Sequence, residues 1–441
     1  MTGDSKKINR LFEDYATEPV PREKTVSGFR IGLVLGGIGI ALPALLSGAK
    51  IGSALGLEKS IWAFLTTGAF LTVLGLISGL VGSRTRLSTY MIIRFSFGRL
   101  GSKLVNLSFA LSQLGWFGVN AYLFGAAAQS AGAALLPGLF SADTYIVMGG
   151  ALMTASTIFG FKALDKLALF AVPLLLLTLV LMVTQTLGLA PFGDLLARPG
   201  SGSMSFTKAL SVLAGGIMVG VVLLPDLTRY SRSAVDTLIA ILIPMAIVEP
   251  LVHFSAAVPS VATGLADALP ILLAIGFGGW ALFIVIFSSW TTNAVNLYGS
   301  GLALSAVFPR FGEWKIIALS GLAGTAIALF DIPDLFIGFL YYQALVFTPV
   351  VGIYVTDFFI IRHGHYDYRQ CDAGPNISWP ACAAWIIGSL IAWAGGEEWI
   401  TITTVPALDA ALAAAGLYWA LMRLGPPAKD RYSPDRPDSA I

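Results

Sequence analysis

A chain of 441 residues that is 56% hydrophobic, only 12% charged and nearly neutral at +2 does not belong to the soluble globular class. Its mean hydropathy of +0.79 is concentrated in apolar runs of about 18 residues or more, the length that crosses a bilayer as a helix. The short alternating segments of a membrane β-barrel are absent, and the charge balance gives no reason to expect nucleic-acid binding.

Twelve spans are expected, at about 29–48, 60–82, 104–136, 144–160, 166–187, 209–226, 235–258, 270–305, 315–332, 333–361, 380–396 and 405–423. A polar tail, 1–27, precedes the single transmembrane domain, 28–423, and a second tail, 424–441, follows it. The first tail lacks the pattern of a cleavable signal. Of the 27 Lys and Arg residues, only Lys50, Lys59, Arg198 and Lys208 fall on one side of this arrangement. That bias predicts both termini in the cytoplasm.

The first span reads Leu35-Gly36-Gly37-Ile38-Gly39-Ile40-Ala41-Leu42-Pro43, and Gly and Pro at that density predict an interrupted helix. In the third, Gln113, Trp116 and Asn120 follow Arg94-Phe95-Ser96-Phe97-Gly98 and share one helical face, polar and aromatic. Amides avoid hydrocarbon, so this face should point into protein or a cavity. There it could stack on and hydrogen-bond a flat heterocycle.

The sixth span reads Ala214-Gly215-Gly216-Ile217-Met218-Val219-Gly220 and reaches Pro225; a second interruption is expected within it. Small residues also serve close helix packing, but matched breaks in spans one and six point to a midplane site between repeats. Five spans precede the sixth. A five-plus-five arrangement follows, with repeats at about 28–187 and 209–361 and extra helices at 380–423.

Glu249 and His253 lie one turn apart inside the seventh span, where ionisable groups are costly and often belong to ion or proton paths. A neutral, hydrogen-bonded structural Glu249 is the other reading. The eighth span carries Ser288, Thr291, Thr292, Asn293 and Asn296. These are hard oxygen ligands suited to Na⁺, unless the hydroxyls bond back to their own helix. Asp226 with Arg229, and Asp357 with Arg362, are expected to pair at cytoplasmic helix ends. Cys371 and Cys382 read as reduced and structural, without metal-ligand spacing. No cluster of His, Asp and Glu or nucleophile motif suggests an enzyme, and no catalytic residue is expected.

These motifs resemble the nucleobase:cation symporter-1 family, the bacterial cytosine permeases in particular. The resemblance rests on Arg94-Phe-Ser-Phe-Gly98, Gln113-x-Gly-Trp-Phe-Gly118, Trp290-Thr-Thr-Asn293 with Leu297-Tyr298 and Gly301-Leu302, and Pro349-x-x-Gly352 with Asp357 and Tyr366. It implies an all-α membrane protein of twelve helices with the leucine-transporter-like fold and a five-plus-five inverted repeat. A multi-pass monomer in the bacterial inner membrane would follow. Trp116 would stack on the base and Gln113 would bind its polar edge. Gly216, Ile217, Val219, Gly220 and Ser288 would complete the pocket. Sodium would sit on the carbonyls of Gly37, Ile40 and Ser288 and the hydroxyls of Thr291 and Thr292; no other cofactor is implied.

Two departures shift the substrate. Cytosine permeases carry an aromatic where Ile217 falls and an asparagine where Ser288 falls. A related base, a substituted pyrimidine such as a thiamine precursor, or a hydantoin-like ring is therefore as admissible as cytosine. Proton coupling through Glu249 and His253 stays open beside sodium.

Overall fold

The computed structural model describes residues 18–135, 140–308, 310–330, 332–371, 374–397, 399–400 and 402–424, with only the backbone path for several helical stretches such as 159–173. The tails that the sequence places at 1–27 and 424–441 lie mostly outside them. Among the described residues every regular element is helical. In chain order they are α1 (Gly28–Gly39), α2 (Leu42–Leu55), α3 (Leu57–Thr85), α4 (Thr89–Leu135) and α5 (Ala142–Leu189). Then come α6 (Phe192–Ala197), α7 (Phe206–Val222), α8 (Leu224–Thr228), α9 (Ala234–Thr263) and α10 (Ala268–Ala274). The last are α11 (Gly279–Val307), α12 (Glu313–Ile327), α13 (Ile332–Ile361), α14 (Trp379–Gly396) and α15 (Pro406–Leu424).

Six of these helices are long and apolar enough to cross a membrane, and a seventh span arises if α1 and α2 count as one bent unit. Shorter apolar helices include α7 and Trp314–Ile327. The fourth and fifth predicted spans run together as α5, 48 residues long. Lys162 and Lys166 suggested a loop there, but residues 161–172 contain no proline and charges alone do not end a helix.

The break expected in the first span is present. α1 stops at Gly39, Ile40 leaves helical geometry at ψ 69°, and α2 starts at Leu42 with Pro43 in its first turn. The two halves meet at 69°. The sixth span is interrupted as well, but at its proline and not at its glycines. Its glycines stay helical and α7 continues to Val222; the chain breaks at Leu223, immediately before Leu224-Pro225. Pro225 has no N–H and would clash with the carbonyl of Val221, so the helix has to end before it. Both breaks therefore precede a Leu-Pro pair.

In hydrocarbon a carbonyl released by such a break needs a new donor. At the sixth span it gets one: Ser78 Oγ donates to the Val221 carbonyl at 2.9 Å, and the Tyr354 hydroxyl lies 2.6 Å from Ser78 and 3.4 Å from the Val222 carbonyl. Within α9, Pro244 and Pro250 cannot donate, and the helix widens over Leu242–Val248 so that the Glu249 amide reaches the Pro244 carbonyl.

The Arg94–Gly98 motif lies at a kink in α4, where Gly98 adopts φ 81°. Its surroundings explain the glycine. A Cβ there would press on the carbonyls of Pro375 and Asn376, while the Leu100 amide donates to Asn376 O at 2.6 Å and the Ser378 amide to Phe97 O at 2.9 Å. Beside this docked strand of loop, fully buried Asp357 accepts hydrogen bonds from Tyr366 (2.6 Å), Tyr418 (2.7 Å) and Arg362 Nε (3.1 Å). Arg362 also donates to Phe95 O, and Phe95 stacks on Tyr366 at 4.2 Å. Burial, then the Asp357 carboxylate, holds the Tyr366 hydroxyl well above the usual phenol range, so it remains a donor. The expected Asp357–Arg362 pair thus ties α4, α13 and α15 together. For Asp226 and Arg229, the guanidinium meets the Asp226 backbone carbonyl (2.9 Å), and the Asp226 carboxylate caps the Thr89 amide at the start of α4.

Removing one partner of a buried charged cluster costs about 3–5 kcal/mol. Asp357→Ala should therefore lower the thermal unfolding midpoint in detergent strongly, whereas exposed Asp334→Ala should leave it in place. Equal midpoints for both would contradict the bridging role.

Candidate functional site

Trp116 lies on α4 with two aromatic neighbours from α13. Phe339 meets it edge-on at 5.3 Å and Phe336 at 6.4 Å. Gly115 permits this approach, since a Cβ there would come within 2.6 Å of the Phe339 ring. Ser112 and Gln343 exchange hydrogen bonds of 2.7 and 2.9 Å one turn below, fixing α4 against α13. The sequence reading missed this contribution. Its signal was the spacing Phe336, Phe339, Gln343, which places three groups on one helical face.

The other members of the predicted α4 face part company. Gln113 is half-buried against Gly299 of α11, where a Cβ would sit 2.8 Å from its amide nitrogen. Asn120 is fully buried and its Nδ2 donates to the Trp116 carbonyl at 2.9 Å. Asn120 is therefore part of the helix packing. Gln113 and Trp116 keep partly exposed surface.

The glycines of α7 divide in the same way. Gly215 faces the Leu340 carbonyl of α13 so closely that a Cβ would overlap it, whereas Gly216 has nothing within 4 Å and Gly220 only Ile217. Ile217 packs half-buried on the same apolar core as Trp116, and Val219 is buried in it. The open side of α7 is thus Gly216, Ile217 and Gly220.

On α11, Ser288 is 2% exposed. Thr291 donates back to the carbonyls of Phe287 and Ser288, both at 3.1 Å, which is the local bonding anticipated for membrane hydroxyls. Thr292 is partly exposed and makes no hydrogen bond among the described residues. Asn293 is committed elsewhere, donating to Phe117 O at 3.0 Å.

The α1–α2 break supplies complementary oxygens. The amide that would cap Gly37 O, that of Ala41, donates instead to Gly39 O at 2.9 Å; the one that would cap Ile40 O, that of Ala44, donates to Ala41 O at 3.0 Å. Both carbonyls lose their helical donors. Ile40 is buried in one cluster with Ile284 and Val285 of α11, so the break and the hydroxyl-bearing helix share a core. Among the described residues no group of His, Cys, Asp and Glu suits a transition metal. Uncharged oxygens of this kind suit a hard monovalent ion.

Glu249 and His253 are brought together as the sequence suggested. His253 Nδ1 lies 2.7 Å from the Glu249 carbonyl and 3.7 Å from its carboxylate, and Nε2 lies 3.1 Å from Ser47 Oγ on α2. Phe64 stacks on the imidazole at 5.4 Å. The Glu249 carboxylate abuts Gly39, where a Cβ would sit 2.6 Å from it.

Residues 19–417 match the family described as permease for cytosine/purines, uracil, thiamine and allantoin. The cytosine permease of Escherichia coli K12 is 26% identical over 376 residues, 85% of this chain and 88% of that protein. A hydantoin permease of Microbacterium maritypicum is 23% identical over 410 residues, 84% and 82% of the two. Among solved structures, Mhp1 in an inward-facing conformation superposes with TM-score 0.83 at 19% identity, covering 92% of each chain. Mhp1, a nucleobase-cation-symport-1 transporter, in a closed conformation with bromovinylhydantoin bound gives 0.77 at 20% identity, covering 92% of this chain and 94% of that one.

The α7 glycines give a direct check on which side is open. Gly215→Ala should lower the unfolding free energy because backbone must move, and Gly216→Ala should leave it within about 0.5 kcal/mol of wild type. The reverse order would place the open face elsewhere.

Proposed function

We propose, from the premise that this chain belongs to the permease family for cytosine/purines, uracil, thiamine and allantoin, that it imports a nucleobase or related flat heterocycle by Na⁺ symport with alternating access. The relatives are permeases, and the chain is a membrane transporter rather than an enzyme. The observation that carries the substrate class is the partly exposed Trp116, braced edge-on by Phe336 and Phe339 and packed on the same apolar core as Ile217 of α7. An aromatic plane braced in this way offers a stacking surface to a flat ring.

In this reading Trp116 stacks on the cargo and Gln113 hydrogen-bonds its polar edge, with Gly216, Ile217, Val219, Gly220 and Ser288 around it. The carbonyls of Gly37, Ile40 and Ser288, with the hydroxyls of Thr291 and Thr292, fit a sodium site, because the helix break frees the first two carbonyls and Thr292 is uncommitted. A sodium ion bound there supplies the positive charge that these oxygens share. The chain's part is to hold α1 and α2 bent against α11, so that ion and cargo favour the same conformations and their affinities are linked. Twelve spans in a five-plus-five arrangement, which needs α5 to turn back near Lys162 and Lys166, complete the proposal together with two cytoplasmic termini, a bacterial inner-membrane location and a functional monomer.

A second reading is a proton-coupled carrier of a thiamine precursor or a hydantoin. It is favoured by the buried Glu249, His253 and Ser47 contact against the α1–α2 break. Uptake driven by a proton gradient without Na⁺ would select it.

Reconstituted protein should accumulate radiolabelled cytosine, a purine or hydantoin when an inward Na⁺ gradient is imposed. Trp116→Ala should abolish uptake, and Thr292→Ala should remove its Na⁺ dependence. Unchanged uptake in both variants would overturn the assigned site, and no uptake of any of these rings under either gradient would overturn the function. In the same assay, Ile217→Phe adds a second aromatic to the pocket. About 1 kcal/mol of stacking corresponds to a roughly fivefold gain in cytosine affinity; a loss of affinity would mean that Ile217 does not face the ring.

A further inference from the structure

A cavity of about 460 Å³ opens at the end of the bundle where α7 begins and α14 ends. It lies on the face poor in Lys and Arg, away from the Asp357 cluster. Its polar wall comes from Ser205, Lys208, Tyr341, Tyr342 and Glu397. The volume falls in the range of small-molecule sites.

Three of these groups are complementary: the Tyr341 phenol, the Lys208 ammonium and the Glu397 carboxylate. Tyr341 is 91% buried (9% exposed), yet its hydroxyl has no hydrogen-bond partner. It rests against Gly396, also on the cavity wall, where any Cβ would displace it. Lys208 Nζ lies over the Tyr341 ring, 5.8 Å from its centroid, and among the described residues it forms no ion pair with Glu397. A buried phenol without a partner carries a desolvation cost that a ligand could relieve.

The cavity is separate from the Trp116 site, though one helix borders both. Along α13, Phe336, Phe339 and Gln343 occupy one face at helical spacing, toward α4. Ile337, Gly338 and Tyr341 occupy the opposite face, toward the cavity.

We propose that this cavity is a second binding site for a small planar solute, gripped by a lactam or ureide edge. Glu397 accepts from the ring N–H and Lys208 Nζ donates to the adjacent carbonyl, and Tyr341 Oη, buried against Gly396, turns toward the cavity to donate to the same carbonyl. Neither a cation nor an anion alone satisfies all three groups, whereas a donor beside an acceptor does. The ligand class is that of the cargo, so the inference rests on the heterocycle-transport reading. It adds a docking position on the far side of α13 from Trp116.

Equilibrium dialysis of the purified full chain with radiolabelled cytosine and hydantoin tests it. Two sites are expected in the wild type, the weaker one surviving Trp116→Ala. Lys208→Met, Glu397→Gln and Tyr341→Phe should each weaken that site about tenfold while leaving the Trp116-dependent site within about twofold. Tyr341→Phe keeps the ring and so guards against a folding defect. A single site in the wild type, a second site indifferent to all three substitutions, or a copurified phospholipid held by Lys208 would overturn the proposal. Loss of the weaker site alone counts against this inference; absence of both sites counts against the transport reading itself.

Discussion

Backbone carbonyls inside a membrane have no water to turn to, and two helices of this chain release some of theirs. The two breaks are resolved differently, and that difference organises the site. At Leu223 the freed carbonyls of Val221 and Val222 are met by Ser78 and Tyr354 from neighbouring helices. At Ile40 the amides of Ala41 and Ala44 fold back on their own turn, and the carbonyls of Gly37 and Ile40 lose their helical donors. One break is closed by protein; the other offers oxygen to something else. Thr292 of α11, with a hydroxyl not engaged in any hydrogen bond among the described residues, belongs to a helix that shares a buried core with Ile40.

The aromatic site depends on how rigidly α4 and α13 are joined. Asp357 and Arg362 link the two helices at one end through Phe95, Ser112 and Gln343 join them midway, and Phe339 packs into the notch at Gly115. Trp116 is therefore held by neighbours whose own positions are fixed. The Arg94–Gly98 motif contributes at a distance. It docks the start of α4 onto the 375–378 segment and does not touch the aromatic site.

Local chemistry made some of this legible in the sequence. Gly36, Gly37, Gly39 and Pro43 announced the α1–α2 break because their effect on a helix is intrinsic. The apolar runs announced the membrane. The α7 glycines misled: glycine weakens a helix but proline ends it, and Pro225 decided where the sixth span breaks. Lys162 and Lys166 suggested a loop that the backbone does not make. What could not be read was long-range: the capping of Val221 by Ser78, the convergence of Tyr366 and Tyr418 on Asp357, and the aromatic pair from α13 opposite Trp116. Each joins residues at least nine positions apart in the chain and most join residues over a hundred apart, so a local pattern shows at most one side of the contact, as the spacing of Phe336, Phe339 and Gln343 does.

In the proposed reading Ser288 of α11 serves both the sodium and the cargo, so binding of either should favour the other by the same factor. Measuring heterocycle affinity of the purified protein across Na⁺ concentrations, and Na⁺ affinity across heterocycle concentrations, tests that linkage directly. The account predicts that both affinities rise by an equal factor, in the range of about 5–150-fold. A heterocycle affinity identical in Na⁺ and in an inert cation would contradict it.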